Sequence, residues 1–149
     1  FAFSCEGPQG IQGPKGDKGD PGDDVASVKW VTFFVDAYKE NWKPYRNSDN
    51  NVFYSCSVDV PEIDTFVYEE GTILVYYEVI QSDALGKITK YQQILPYTQL
   101  YDNGSGSRWT KTIGYDFGEG YINFNITKSN FDYTNDLPGD MKFRVVLMY

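Results

Sequence analysis

NVFYSCSVDV, residues 51–60, is the stretch that indicates the fold most clearly, because its side chains alternate in character along the chain. One face of this extended segment carries Tyr54, Cys56, Val58 and Val60, and the other carries Phe53, Ser55, Ser57 and Asp59. A period of two is typical of a β-strand that buries one face and exposes the other. The stretch therefore predicts a strand that ends at Pro61, with Cys56 as a small core residue.

The sequence on both sides of this strand repeats the signal. From Val25 onward Tyr, Phe, Val, Ile and Thr dominate, and these residue types favour strands. Further strands are predicted within 27–38, 72–80, 87–95, 97–101, 108–117, 121–127 and 141–149, with glycine-rich turns at 82–86, 102–107 and 118–120. In PEIDTFVYEEG, residues 61–71, we expect a short helical turn that Asp64 caps and Gly71 closes.

Many short strands without a long amphipathic helix predict an all-β fold. Turns recur at the spacing found in sandwiches, so we predict an antiparallel two-sheet β-sandwich, jelly-roll or Ig-like. This head domain covers residues 25–149, a size that suffices for one hydrophobic core.

A collagen-like segment precedes the head. GPQGIQGPKGDKGDPGDD, residues 7–24, has a glycine at every third position: Gly7, Gly10, Gly13, Gly16, Gly19 and Gly22. Collagen requires this pattern because only glycine fits at the axis of three wound chains. The segment is either a trimeric stalk or a polar single-chain spacer. Its few prolines favour the spacer and a monomeric head over a collagen-driven trimer, and in both cases it is extended, on the order of 50 Å long.

The cysteine that precedes the collagen-like segment suggests how the chain is attached. FAFSC, residues 1–5, resembles the end of a bacterial lipoprotein signal, with the small Ser4 before Cys5. We predict that Cys5 carries lipid and anchors the chain to a bilayer, since two or more acyl chains bind membranes firmly. The alternative is a disulfide partner or an unmodified thiol. Residues 1–6 are then a signal remnant with the lipidation cysteine, 7–24 a spacer, and 25–149 the head.

Several short stretches resemble a known type of protein. They are Cys5–Pro8, Val60–Ile63, Gly71–Tyr76, Ile94–Tyr97 and Phe143–Leu147. The chain is similar there to collagen-like-repeat outer-membrane lipoproteins of Bacteroidota, which have a carboxy-terminal β-rich domain of unassigned function. The resemblance implies a lipid anchor in the bacterial outer membrane, on its periplasmic or cell-surface side, and no catalytic residues.

Composition argues against several functions. The chain has 13 basic and 21 acidic residues, a net charge of -8, which disfavours nucleic acid as a partner. It has no histidine, and it shows no nucleophile elbow, phosphate loop or zinc motif, so we expect neither an enzyme nor a cofactor. Oxygen ligands in one loop leave a calcium site as a minor alternative to no metal: Asp132, Asn135, Asp136 and Asp140.

Two function classes remain. The first is a tethered head that acts as a protein-interaction or structural module, as an accessory subunit of an outer-membrane assembly. The alternative is a glycan-binding surface module that uses loop aromatics, with Trp42, Tyr45 and Trp109 as the candidate ligand or partner surface, although β-sandwiches also use aromatic residues as core. A broad, flat apolar patch would favour the first class, and an exposed aromatic row the second.

Overall fold

The computed structural model describes residues 27–130, 133 and 137–149; Cys5 and the Gly-X-Y segment lie outside the described residues. The strands are β1 (Trp30–Ala37), β2 (Lys43–Arg46), β3 (Val52–Asp59), β4 (Thr72–Ser82), β5 (Ile88–Ile94), β6 (Tyr97–Asp102), β7 (Arg108–Gly118), β8 (Tyr121–Lys128) and β9 (Met141–Met148). A 3₁₀ turn (Lys39–Asn41) and one helix, α1 (Thr65–Glu70), complete the regular structure of this part of the chain.

The strands form two antiparallel sheets, which confirms the all-β prediction and is consistent with a β-sandwich. The four-stranded sheet has the order β1-β9-β4-β5, and the five-stranded sheet has the order β2-β3-β8-β7-β6. The chain passes between the sheets after β1, β3, β5 and β8. The first and last described strands are therefore neighbours, with Trp30 opposite Met148 and Ala37 opposite Met141.

The predicted short helix is present and is capped as expected. The side chain of Asp64 accepts a hydrogen bond from the backbone N–H of Val67 at 2.8 Å. At the other end, the N–H of Gly71 donates to the carbonyl oxygen of Val67 at 3.0 Å. A Cβ atom at Gly71 would lie 2.5 Å from that oxygen, so the close approach of the backbone requires glycine here.

One core fills the space between the two inner faces. Phe124 of β8 and Phe143 of β9 are both fully buried, and their rings stack with centroids 3.8 Å apart. A second link is polar, because the hydroxyl of Tyr115 on β7 donates to the carbonyl oxygen of Ile73 on β4 at 2.8 Å. Stacked rings and a buried hydrogen bond therefore join the sheets directly.

Cys56 lies in this core, as its place in the alternating stretch predicts. It is 1% exposed and forms no disulfide with any described residue. Burial raises the pKa of its thiol, because the low-polarity surroundings disfavour the thiolate. Cys56 therefore behaves as a small apolar residue.

Tyr45 was predicted as a loop aromatic residue but lies in a strand. Residues 43–46 form β2, an edge strand that pairs with β3 and places Pro44 opposite Tyr54. Proline tolerates an edge position, where its missing N–H costs no ladder bond. A four-residue strand has too few alternating positions for the sequence pattern to show it.

Candidate binding surfaces

The outer face of the four-stranded sheet carries a group of apolar side chains. Phe33, Val35, Phe143 and Val145 pack in or against the core, so the residues between them point outward. We name the following outward residues the apolar face: Trp30, Phe34, Leu74, Tyr76, Ile94, Arg144 and Val146. The strand pairing makes these residues neighbours on one side of the sheet.

One row of this face crosses all four strands. Phe34 pairs with Arg144, Arg144 pairs with Tyr76, and Tyr76 pairs with Ile94. Phe34 and Ile94 are each 51% exposed, and Trp30 nearby is 66% exposed. Val146 points outward in the next row but is only 6% exposed. The exposed apolar side chains thus cluster on one side of the sheet, with the exposed Thr32 between Trp30 and Phe34 on β1.

Arg144 is the one charged residue of the apolar face. Its guanidinium carbon lies 4.4 Å from the centroid of the Tyr76 ring, a cation–π contact. Its Nε is buried and has no hydrogen-bond partner among the described residues. Within that same part of the chain, no carboxylate lies at ion-pairing distance from Arg144, whereas the adjacent Lys142 pairs with Asp36 at 3.4 Å. The apolar face therefore has a positive charge near its middle that no described carboxylate pairs with.

The middle of the outer face of the five-stranded sheet is polar. Asn123 and Asn125 of β8 point outward beside Asp116 of β7. The side-chain nitrogen of Asn123 donates to one carboxylate oxygen of Asp116 at 2.8 Å, and that of Asn125 donates to the other at 2.6 Å. Further along, the hydroxyls of Thr98 and Thr112 lie 2.9 Å apart. Amides, hydroxyls and one carboxylate therefore line this part of the outer face, whereas apolar side chains line the corresponding part of the four-stranded sheet.

An aromatic pair borders this polar surface. Tyr45 of β2 lies opposite Phe53 of β3, and the ring centroids are 5.2 Å apart with planes inclined by 47°. A cavity of about 320 Å³ lies between the aromatic pair and the amides. We name this cavity the polar groove; it is lined by Tyr45, Phe53, Ser55, Asp116, Asn123 and Asn125. A second cavity of about 400 Å³ adjoins it, since Phe53 and Asn125 line both.

The three aromatic residues singled out from the sequence do not form one platform, which corrects the prediction. Trp42 is only 6% exposed and belongs to the core, because it turns inward just before β2. Trp109 lies on β7 and stacks on Tyr101 with centroids 4.2 Å apart. It shares the side of β7 that carries the core residue Ile113, whereas Tyr45 is 57% exposed on the opposite side of the same sheet.

Sequence reasoning missed both surfaces for the same reason. Phe34, Tyr76 and Arg144 belong to three strands that are distant in the sequence, and only the strand order makes them one row. A signal was present, because residues 31–35 are apolar at nearly every position and so predict apolar side chains on both faces of β1. Likewise, Asn123 and Asn125 alternate with buried isoleucine and phenylalanine, which marks a polar outer face.

The calcium alternative falls largely outside the described residues. Asp132, Asn135 and Asp136 are not described, and the carboxylate of Asp140 accepts a hydrogen bond from the N–H of Lys39 at 2.8 Å. Among the residues that the structure describes, no group of three or more acidic, cysteine or histidine side chains is placed to hold a metal ion. No helix in this part of the chain is long and apolar enough to cross a membrane.

Comparison of the chain with protein-family models, with curated proteins and with solved structures finds no match. The class that the fold defines is an all-β protein of two antiparallel sheets. The resemblance to collagen-like lipoproteins stays a prediction.

Proposed function

We propose that the head is a protein-interaction module that docks a partner protein through the apolar face. The observation that carries this proposal is the row Phe34–Arg144–Tyr76–Ile94, which crosses the whole four-stranded sheet at its outer side. Contiguous exposed apolar surface is typical of interaction sites. Aromatic residues and arginine, the side chains most enriched at the energetic centres of interfaces, lie in the middle of this row.

The partner surface is expected to be flat and apolar, with one carboxylate opposite Arg144. The row lies on a broad sheet surface, so a broad complementary surface fits it. Arg144 carries a charge that no described carboxylate neutralises, and its side chain already lies against the Tyr76 ring. A carboxylate from the partner would form a charge-assisted pair with a guanidinium group whose orientation is already fixed.

The remaining predictions complete the proposal. The two sheets form a β-sandwich head, jelly-roll or Ig-like, at residues 25–149. Lipid on Cys5 anchors the chain to the bacterial outer membrane, on its periplasmic or surface side, and residues 7–24 hold the head away from the bilayer. The head is a monomer without catalytic activity, and it serves as an accessory subunit of an outer-membrane assembly.

Site-specific photo-crosslinking tests the docking surface. A benzophenone amino acid replaces Phe34 in the full-length chain, and the matched control places it at Tyr121, a 40% exposed aromatic residue of the five-stranded sheet. We expect an adduct with one partner protein from position 34 and none from position 121. In the position-34 chain, Arg144→Met should reduce the adduct roughly 10-fold or more, as loss of a central arginine does at interfaces.

Lys142→Met is the matched substitution, because Lys142 is the next outward residue of β9 and already pairs with Asp36. It should change the adduct by less than about twofold, as is usual for a solvent-exposed charge pair. Equal losses in the two variants, or equal adducts from positions 34 and 121, would contradict the proposal. An adduct with the mass of two copies would identify self-association instead, and an adduct within one chain would identify the amino-terminal segment.

The anchor is tested separately. Cys5→Ser should move the protein from the membrane fraction to the soluble fraction, because the acyl chains would be absent. If the variant partitions as the parent does, Cys5 is not the anchor. Sedimentation of the same full-length Cys5→Ser chain should give a monomer; a stable trimer would instead support the collagen-like stalk.

A further inference from the structure

A second surface of the head has a different chemistry. The polar groove lies on the five-stranded sheet, whereas the apolar face lies on the four-stranded sheet, so the two surfaces belong to different sheets. Docking of a protein on the apolar face makes no use of the groove. The side chains of the groove are half-buried or exposed, so a ligand can reach them.

The groove is rich in hydrogen-bond acceptors. Asp116 accepts one amide N–H from Asn123 and one from Asn125, so each asparagine directs its nitrogen toward the carboxylate. The side-chain oxygens of both asparagines then remain as acceptors, and each carboxylate oxygen keeps a further lone pair. The two hydrogen bonds link all three side chains. The arrangement therefore suits a ligand with several closely spaced hydroxyl donors.

The groove also offers an aromatic surface. Tyr45 is 57% exposed and packs against Phe53 with centroids 5.2 Å apart. Ser55 follows Phe53 by two residues on the same face, and it pairs with Asn125, so ring and amide are near neighbours on the sheet. A ligand over Asn125 can thus place an apolar side against the rings. A pyranose ring has both features, because it carries hydroxyl groups at its edge and C–H groups on its face.

A glycine lies next to the polar groove on the same face of the sheet. Gly114 lies on β7 opposite Asn125 and two residues before Asp116, and a Cβ atom there would meet nothing within 4 Å. No side chain therefore covers the sheet at this position, beside Asp116 and Asn125. The two adjoining cavities, about 320 and 400 Å³, each fall within the range of small-molecule sites, about 300–1,000 Å³. Their junction at Phe53 and Asn125 favours an elongated ligand.

From these observations we infer that the polar groove binds a neutral saccharide of two or more units. Asp116, Asn123 and Asn125 accept hydrogen bonds from the hydroxyls of one unit. Tyr45 and Phe53 stack on the same unit or its neighbour, and the second cavity holds the continuing chain. This site replaces the loop platform of Trp42, Tyr45 and Trp109, of which only Tyr45 contributes.

The alternative occupant of an acceptor cluster is a cation. Only one carboxylate is present in the groove, and both of its oxygens already accept amide hydrogens. Calcium takes about six to eight oxygen ligands, several of them carboxylates in most sites. A neutral polyol requires fewer charges and matches the mixed amide and aromatic lining better.

Affinity electrophoresis in native gels tests the inference. The full-length Cys5→Ser chain migrates through gels that contain mannan, xylan, galactan, glucan or no polysaccharide. At least one polysaccharide should retard the parent, and Asp116→Ala and Tyr45→Ala should each reduce the derived affinity at least roughly 10-fold, as expected for groups that contact ligand directly. Chelation of divalent ions should have no effect.

Matched variants keep the test specific. Asp59→Ala removes an exposed acid from the outer face of β3, outside the groove, and Tyr38→Ala removes a 49% exposed tyrosine elsewhere. Both should keep parental affinity, and Phe34→Ala on the apolar face should too. The inference is wrong if no polysaccharide retards the parent, if the groove and control variants behave alike, or if chelation abolishes retardation. None of these results affects the docking proposal, which is measured by crosslinking at position 34.

Discussion

The outer faces of the two sheets occupy equivalent places in the fold but carry different side chains. The four-stranded sheet presents Phe34, Tyr76 and Ile94, whereas the five-stranded sheet presents Asp116, Asn123 and Asn125. Neither outer face is needed for the core, which the inner faces fill. Under the two proposals made above, the difference reflects what each face contacts: the apolar face suits a protein, and a polar groove with an aromatic border suits a saccharide.

The largest expected effect comes from the core that both sheets share. Phe143→Ala removes a fully buried ring that stacks on Phe124 of the other sheet, and it should lower the free energy of unfolding by about 3–5 kcal/mol. Denaturant unfolding followed by circular dichroism measures this. Phe34→Ala removes a phenylalanine ring from the outer face and should lower the free energy of unfolding by less than about 1 kcal/mol. Similar losses would mean that the apolar face is part of the stabilising core.

The tryptophans give the next contrast. Trp42→Ala should cost about 2–4 kcal/mol, less than a usual buried aromatic residue, because the indole N–H is buried without a partner in the described residues and its removal relieves a penalty. Trp30→Ala, on the 66% exposed Trp30, should change stability by less than about 1 kcal/mol. Thermal melts of both variants check this, and a larger loss from Trp30→Ala would reverse the assignment of inner and outer residues.

A smaller effect is expected at the hydrogen bond that joins the sheets. Tyr115→Phe removes the hydroxyl that donates to Ile73, at a cost of about 1 kcal/mol. Burial raises the pKa of Tyr115, so the folded state favours the neutral phenol. The stabilisation that comes from this pKa difference is complete below the pKa of about 10 that tyrosine has in the unfolded chain. It is lost as pH rises through the higher pKa of Tyr115 in the folded protein. Between about pH 9 and 11, unfolding free energies should fall less steeply in Tyr115→Phe than in the parent; identical slopes would contradict this.

The smallest expected change concerns thiol chemistry and not stability. In a Cys5→Ser background, Cys56 should resist a thiol reagent at pH 8 until denaturant is added, because it is 1% exposed and burial raises its pKa. The matched variant Ser55→Cys with Cys56→Ala places the thiol on the outer face of the same strand, beside the polar groove. That thiol should react without denaturant. Rapid labelling of Cys56 would show that the inner face opens readily.

Particular elements show how far the sequence predicts the fold. The β3 and β8 segments alternate so regularly that their buried residues were predictable, including Cys56, Ile122 and Phe124. The Asp64 cap and the turn at Gly118–Gly120 were also readable, because both depend on residues close together in the chain. β2 was missed because it is short and at a sheet edge, and Trp42 was misplaced because a residue in an irregular segment has no period to show its direction.

By itself, the sequence determined the strands other than β2, the turns and the inward or outward direction of most strand residues, because these follow from local alternation and turn chemistry. The tertiary structure alone decided which outward residues are neighbours. Phe34 and Tyr76 become one surface only because β9 pairs with both β1 and β4 and places Arg144 between them. Asp116 meets Asn123 and Asn125 only through the register of β7 on β8. Strand order and register depend on how the whole core packs, and no local stretch of sequence contains that information.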